Sequence, residues 1–391
     1  VTSFLRVLAL LWSAGLLVVL VGAFRPETPV LGLAGSFVTG QYPLHLTLAA
    51  VLGILIGLAA RRAAPFTGYL TATVALATVI GMVTVLAAQG RAASDEGVRL
   101  DWTEALTVLG QPSGAPDRTV EYAPGRELDL YLPSGPGPHP TMVWVHGGSW
   151  VGGERDDRTA FNRWLADRGW AVAAIDYRLP PTGWGSGGTG AGTEPIGRDQ
   201  QRDVACAVDW VRAHTGDELD PARLVLAGQS AGATLALSTT SGLLDGTLAC
   251  SEAPAALGGT GPADAPPPAP GPPPAGVVAF HPPVDLALID PDLQQTLLGG
   301  AAADSPGLMR LLSPSEQVRP ELPPTLLLLG SADHYVDPAR VTAYDAELRA
   351  AGVPGRLVTV PYADHVFDRP FGSPGAQLGR EAAIRFLTGL D

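Results

Sequence analysis

Ser230 stands in Gly228-Gln229-Ser230-Ala231-Gly232, between the apolar run Leu224-Val225-Leu226-Ala227 and a stretch rich in Ala and Leu. A serine hydroxyl is a poor nucleophile until a neighbouring base takes its proton. A strand, a GxSxG turn and a helix in that order form the setting in which such a serine projects above a sheet, because small residues allow the sharp turn. Gly, Ser and Ala are common in this chain, so the motif takes its weight from the strand and helix that flank it. The chemistry it would support is acyl transfer through a covalent intermediate on the serine oxygen.

Seven histidines compete to be the base: His45, His139, His146, His214, His281, His334 and His365. His45 lies in an apolar span, His139 precedes the first central strand and His214 ends a surface helix. His365, in Tyr362-Ala363-Asp364-His365-Val366-Phe367-Asp368, follows the last strand, where the chain order Ser…Asp…His places the base. His334 is the alternative, before the last strand. The acid belongs between serine and base at a strand end. Gly330-Ser331-Ala332-Asp333-His334-Tyr335-Val336 directly follows Leu326–Leu329 and nominates Asp333, with Asp337 as competitor; Asp364 and Asp368 read as solvated loop acids. The acid would hold the imidazole tautomer and stabilise the imidazolium without accepting the proton.

Acyl transfer also needs donors aimed at the developing oxyanion. His146-Gly147-Gly148-Ser149-Trp150 follows the strand Met142–Val145, where such a loop belongs. The backbone N–H groups of Gly148, Ser149 and Ala231 are assigned to this hole, with Gly147 permitting the turn. His146 reads as a structural residue under the loop, and Trp150 either borders an acyl pocket or packs as an ordinary core Trp.

The elements that must position these residues alternate between strand and helix, the pattern of an α/β fold with a mainly parallel sheet. Strands are expected at 141–145, 171–176, 224–227, 276–280, 325–329 and 356–360, preceded by an antiparallel hairpin at 119–122 and 127–132. Helices are expected at 158–168, 198–214, 231–244, 338–351 and 377–390. Several strands are apolar throughout, as when helices cover both sheet faces. The Gly-rich stretch 180–195 and the Pro-, Ala- and Gly-rich stretch 252–276 read as surface loops.

The chain has 391 residues, 46% hydrophobic and only 16% charged, and the apolar excess lies in the first ninety. Runs at 5–24, 44–60 and 66–88 are long enough for a bilayer core of about 30 Å and apolar on every face, which favours lipid contact. Arg61 and Arg62 place the second short loop in the cytoplasm by the positive-inside rule, so the third helix delivers the rest of the chain outward. The expected organisation is a membrane segment at 1–90 with three transmembrane helices, a linker at 91–117 and a globular domain at 118–391. The formal net charge of −13 is concentrated after residue 100, with nineteen Arg against thirty-five acids, which argues against nucleic acid as a partner. There are two cysteines, Cys206 and Cys250; in an oxidising compartment they are able to pair, the alternative being two separate buried thiols.

Taken in order and spacing, HGGSW, Asp176-Tyr177-Arg178-Leu179-Pro180, GQSAG, GSADHYV and ADHVFD resemble the bacterial carboxylesterase and acetyl-esterase branch of the α/β-hydrolases, relatives of hormone-sensitive lipase. The resemblance covers roughly residues 118–390. It implies an α/β-hydrolase fold, a triad of Ser230, Asp333 and His365, and an oxyanion hole built from the Gly-rich loop and the residue after the serine. The chain has HGGS where many relatives show HGGG, and its proline-rich and membrane segments depart from the pattern. The expected function is hydrolysis of carboxylic esters, with a short acyl group, by a multi-pass protein of the cell membrane whose catalytic domain is extracytoplasmic. The partners expected are a small-molecule or lipid ester and the membrane; no metal or organic cofactor is implied. The alternatives are an amidase or peptidase, an acyltransferase with the same triad, or a non-catalytic hydrolase-fold membrane protein.

Overall fold

In the computed structural model the described residues are 2–108, 114–181, 195–214, 218–250 and 271–390. The two stretches read as surface loops fall largely outside them. The chain forms two compact units. One comprises Val1–Gln111, Gly330–His334 and Thr359–Ala382; the other comprises Pro112–Leu329, Tyr335–Val358 and Ala383–Asp391.

The first unit is led by helices α1 (Thr2–Phe24), α2 (Leu31–Gln41), α3 (Pro43–Ala60), α4 (Pro65–Asp95) and the short α5 (Trp102–Leu106). Three of them, α1, α3 and α4, are long and apolar enough to cross a membrane. At 1.5 Å per residue even the 18 residues of α3 reach about 27 Å, close to the thickness of a hydrocarbon core. Large apolar side chains such as Leu11, Leu55 and Ile80 point outward, while polar groups turn inward and bond between helices. Ser13 and Thr71 meet at 2.9 Å, and the Trp12 indole N–H donates to the Ala49 carbonyl at 3.0 Å. Turned away from solvent, such groups have no water to bond, so they pair across the helix contacts. The three long apolar helices expected from the sequence are present, and α4 runs seven residues past the expected end at residue 88. Helix α2 was not foreseen: LGLAGSFVTGQ holds three glycines, poor helix formers in isolation, and reads as loop.

The second unit carries strands β1 (Arg118–Ala123), β2 (Arg126–Tyr131), β3 (His139–Val145), β4 (Ala171–Ile175), β5 (Leu219–Gln229), β6 (Gly276–Phe280), β7 (Thr325–Gly330) and β8 (Gly355–Val360), the last residues of β7 and β8 being counted with the first unit. The sheet order is β1-β2-β4-β3-β5-β6-β7-β8. β1 and β2 form the antiparallel hairpin, β2 pairs antiparallel with β4, and β4, β3, β5, β6 and β7 run parallel. Its helices are α6 (Thr159–Ala166), α7 (Ile196–Ala213), α8 (Ala231–Leu244), α9 (Pro291–Leu298), α10 (Pro306–Leu312) and α11 (Pro338–Ala350); α12 (Pro374–Thr388) closes the chain. Every residue of β4, β6 and β7 is buried, which explains why these strands show no alternation in sequence. Helix α9 was missed although its signals are present: Asp290 caps it, Pro291 opens it and Gly299 ends it in the left-handed region.

Cys206 of α7 and Cys250 form a disulfide across a sequence separation of 44 residues. Closing a loop of that length removes denatured-state entropy worth about 4 kcal/mol. Replacing both cysteines by Ala is expected to lower the denaturant midpoint accordingly. The same midpoint in the wild type should fall on addition of reductant, and the variant should not respond.

Candidate active site

β5 ends at Gln229 and α8 begins at Ala231, so Ser230 alone makes the turn between them. Its backbone sits at φ 50°, ψ −122°, a region that costs a non-glycine residue about 1–3 kcal/mol. The turn is held from both sides: the Ser230 N–H donates to the Phe280 carbonyl at 2.9 Å, and the Ser230 carbonyl accepts from Ala233 N–H at 3.0 Å. A Cβ on Gly232 would lie 2.2 Å from the carbonyl oxygens of both Val145 and His146, so the end of β3 is pressed against the start of α8 and only glycine fits. The N–H of Ala231 lies in the first turn of α8, where no intrahelical acceptor exists.

The Gly-rich loop leaves β3 through His146, which is buried and stacked on Tyr177 with centroids 4.1 Å apart. Burial pulls the His146 imidazole below its ordinary range, so it stays neutral as a structural residue. Ser149 and Trp150 follow with φ of 53° and 61°. Trp150 is 3% exposed and packs into the main core cluster. The Gln200 side-chain amide donates to the carbonyls of both Trp150 and Arg178, at 2.8 Å each. Arg178 in turn forks onto the Asp203 carboxylate at 2.8–3.1 Å, and burial raises the Asp203 carboxyl despite that pairing. The Asp176–Pro180 stretch is therefore a brace that fixes the Gly-rich loop.

In the first unit the chain turns after β7, and two loops lock together. Ser331 N–H donates to the Val360 carbonyl at 3.0 Å and Ala332 N–H to the Ala363 carbonyl at 2.9 Å, while the Ser331 hydroxyl accepts from Tyr362 N–H at 2.9 Å. This brings Asp333 and His365 together. His365 Nδ1 lies 2.8 Å from Asp333 Oδ2, and each residue is only 8% exposed. With Nδ1–H given to the carboxylate, Nε2 is the nitrogen able to accept a proton.

The rival assignments find other employment. Asp337 caps α11, accepting from Ala339 N–H at 2.9 Å. His45 sits 3.0 Å from the Leu106 carbonyl, and His214 stacks on Trp210. Asp364 and Asp368 are not solvated loop acids: they are 1% and 9% exposed. The Asp364 carboxylate is consumed within the first unit. Its Oδ1 accepts from the N–H groups of His334 at 3.0 Å and His365 at 2.7 Å, and its Oδ2 meets the Ser36 hydroxyl at 2.5 Å and His334 Nδ1 at 2.7 Å. The apolar neighbours Ala363, Val366 and Phe367 were the only local hint of its burial; nothing local marked Ser36.

Both ring nitrogens of His334 face acceptors, the Asp364 carboxylate and, through Nε2 at 2.7 Å, the Pro26 carbonyl. That arrangement is complete only when both nitrogens carry hydrogen. Burial opposes the charge, but the Pro26 carbonyl and Asp364 outweigh it and raise the imidazole above its ordinary 6.5. The stabilisation from this cation is fully present below 6.5, the value in the unfolded chain, and is lost as pH rises through the higher folded value. Thermal midpoints of the chain in detergent should thus show a downward step above 6.5, and His334→Gln should lack that step.

A parallel-centred sheet, a strained serine at a strand-to-helix turn and a carboxylate-bound histidine after the last strand define an α/β-hydrolase. Residues 128–348, more than half of the chain, match the BD-FAE model, and the chain belongs to that family of α/β-hydrolases. Among curated proteins it is similar to a probable isoprenylcysteine alpha-carbonyl methylesterase of Arabidopsis thaliana, 35% identical over 31% of this chain and 24% of that protein. It is also similar to the carboxylic ester hydrolase LipN of Mycobacterium tuberculosis, 34% identical over 27% of this chain and 26% of that one. The match spans about a quarter of the length of these relatives. Among solved structures, esterase 2 of Thermogutta terrifontis in its apo form superposes with a TM-score of 0.55 at 22% identity, covering 71% of this chain and 96% of that one, and so shares the fold.

Proposed function

We propose that this chain is a membrane-tethered serine esterase, with Ser230 as nucleophile, His365 as base and Asp333 as the acid that orients it. The observation that carries the reading is the 2.8 Å bond between His365 Nδ1 and Asp333, in a chain whose Ser230 occupies a strained strand-to-helix turn. Ser230 Oγ attacks the ester carbonyl while His365 Nε2 takes its proton. The N–H groups of Gly148, Ser149 and Ala231 hold the oxyanion, with Gly147 permitting the loop to turn. The C–O bond to the alcohol breaks as His365 returns the proton to it, leaving an acyl-enzyme. Water, deprotonated by the same nitrogen, then releases the acid.

In this reading residues 1–90 are the membrane segment, 91–117 the connection and 118–391 the catalytic domain, on the outer side of the cell membrane. Arg61 and Arg62 in the short second loop support that orientation, and a disulfide suits an oxidising compartment. The relatives' names speak of carboxylic esters. The chain's loops are short of large apolar residues, which favours a small acyl group. The purified chain should hydrolyse p-nitrophenyl acetate faster than the palmitate, and faster than the matched acetanilide. Faster palmitate cleavage would overturn the acyl preference, and equal anilide cleavage the esterase assignment.

A further inference from the structure

The residues between Pro361 and Val366, which carry His365, are held by the apolar helices at several points. A Cβ on Gly40, near the end of α2, would fall 2.6 Å from the Cα of Ala363, so helix and loop touch backbone to backbone. Gln41 donates to the Val366 carbonyl at 3.3 Å. Gln89 of α4 donates to the Pro361 carbonyl at 3.2 Å and to the Gly40 carbonyl at 3.3 Å. The ring of Phe24, the last residue of α1, meets that of Tyr362 edge-on with centroids 5.5 Å apart.

The Asp364 carboxylate stands at the centre of these contacts. Its four acceptor sites are filled by four donors, and each bond does a different thing. Two fix the backbone of His365 and of His334, the residue after Asp333, and so set the spacing of the two loops that bear the Asp333–His365 pair. The third reaches Ser36 in α2, 328 residues away in sequence. The fourth goes to His334, whose other nitrogen is tied to Pro26 in the loop between α1 and α2. Ser36, His334 and Asp364 do not make a second nucleophilic triad. Ser36 is fully buried, and His334 Nδ1, 3.5 Å from its hydroxyl, is engaged with Asp364 while Nε2 faces the Pro26 carbonyl, so neither nitrogen has a lone pair free to take the serine proton.

We propose that Asp364 is a positioning residue, and that through it and Ser36 of α2 the amino-terminal helices form part of the machinery that aligns Asp333 with His365. The tether is then a structural component of the site. A free-standing hydrolase domain would have to replace the Ser36 bond with water. The proposal rests on the catalytic roles assigned above to Asp333 and His365, but the pairing it describes is measurable without them.

The test uses the full chain in detergent. Ser36→Ala removes one hydroxyl and adds no volume, at a helical position where Ala is favourable, so misfolding is not the expected outcome. Asp364→Asn keeps the shape. Both are expected to lower kcat for p-nitrophenyl acetate by on the order of 10- to 100-fold, the scale of small misalignments, with KM unchanged, since neither side chain is placed to meet substrate. In parallel, the low-field imidazole proton shared by His365 and Asp333 is followed by proton NMR on protein carrying nitrogen-15 histidine, assigned through His365→Gln. It should be sharp in the wild type and shifted or lost to exchange in both variants. An unmoved resonance in Ser36→Ala with kcat within twofold of wild type would overturn the proposal. A wild type without esterase activity would sink the functional reading instead, and the resonance would still decide whether the helices hold the pair.

Discussion

Ser230→Ala is expected to reduce ester hydrolysis by on the order of 10⁴-fold or more, leaving only what the oxyanion donors and binding supply. Two features make this the largest effect in the molecule. The serine oxygen is the only protein atom in the proposed scheme that forms a bond to the acyl carbon, so no other side chain in the scheme substitutes for it. The turn that bears it is specified by the surrounding backbone: the Ser230 N–H donates to Phe280 and its carbonyl caps α8, neither of which involves the side chain. The variant should therefore fold with an unchanged thermal midpoint. Covalent labelling by a fluorophosphonate should be strong in the wild type and absent in the variant. Labelling that survives Ser230→Ala would place the nucleophile elsewhere.

The second large effect separates the two candidate acids. Asp333→Asn is expected to lower kcat by on the order of 10³- to 10⁴-fold, because an amide in place of the carboxylate favours the wrong imidazole tautomer. Asp337→Ala, four residues on, should lower stability by about 1 kcal/mol through the lost α11 cap and leave kcat within about twofold. The contrast follows from where the carboxylates point: Asp333 to His365 Nδ1, Asp337 to the N–H of Ala339. Steady-state kinetics and chemical denaturation of the two variants, measured side by side, check both halves. If Asp337→Ala fell in kcat as far as Asp333→Asn, the assignment of the acid would be wrong.

Much of the fold could be read from local pattern. β4, β6 and β7 are buried on both faces, so they appear as unbroken apolar runs between turn residues, and their limits were read to within a residue. Ala231–Leu244 was legible because a GxSxG turn announces its start. The helices that were missed, α2, α5, α9 and α10, are short or glycine-rich, and packing sustains them where propensity does not.

By itself the sequence determined which residues could do chemistry. A strand, a small-residue turn and a helix placed Ser230; chain order nominated Asp333 and His365; unbroken apolar length marked the three long helices. These features are local, set by neighbours a few residues away, and local physics writes them in the sequence. What only the tertiary structure decided is the company those residues keep. Asp364 read as a solvated acid beside His365, yet it is buried and holds Ser36 and His334 from segments some three hundred residues apart. A carboxylate looks the same in a sequence whether water or four protein donors surround it. The donors are brought by chain segments whose meeting no local period records.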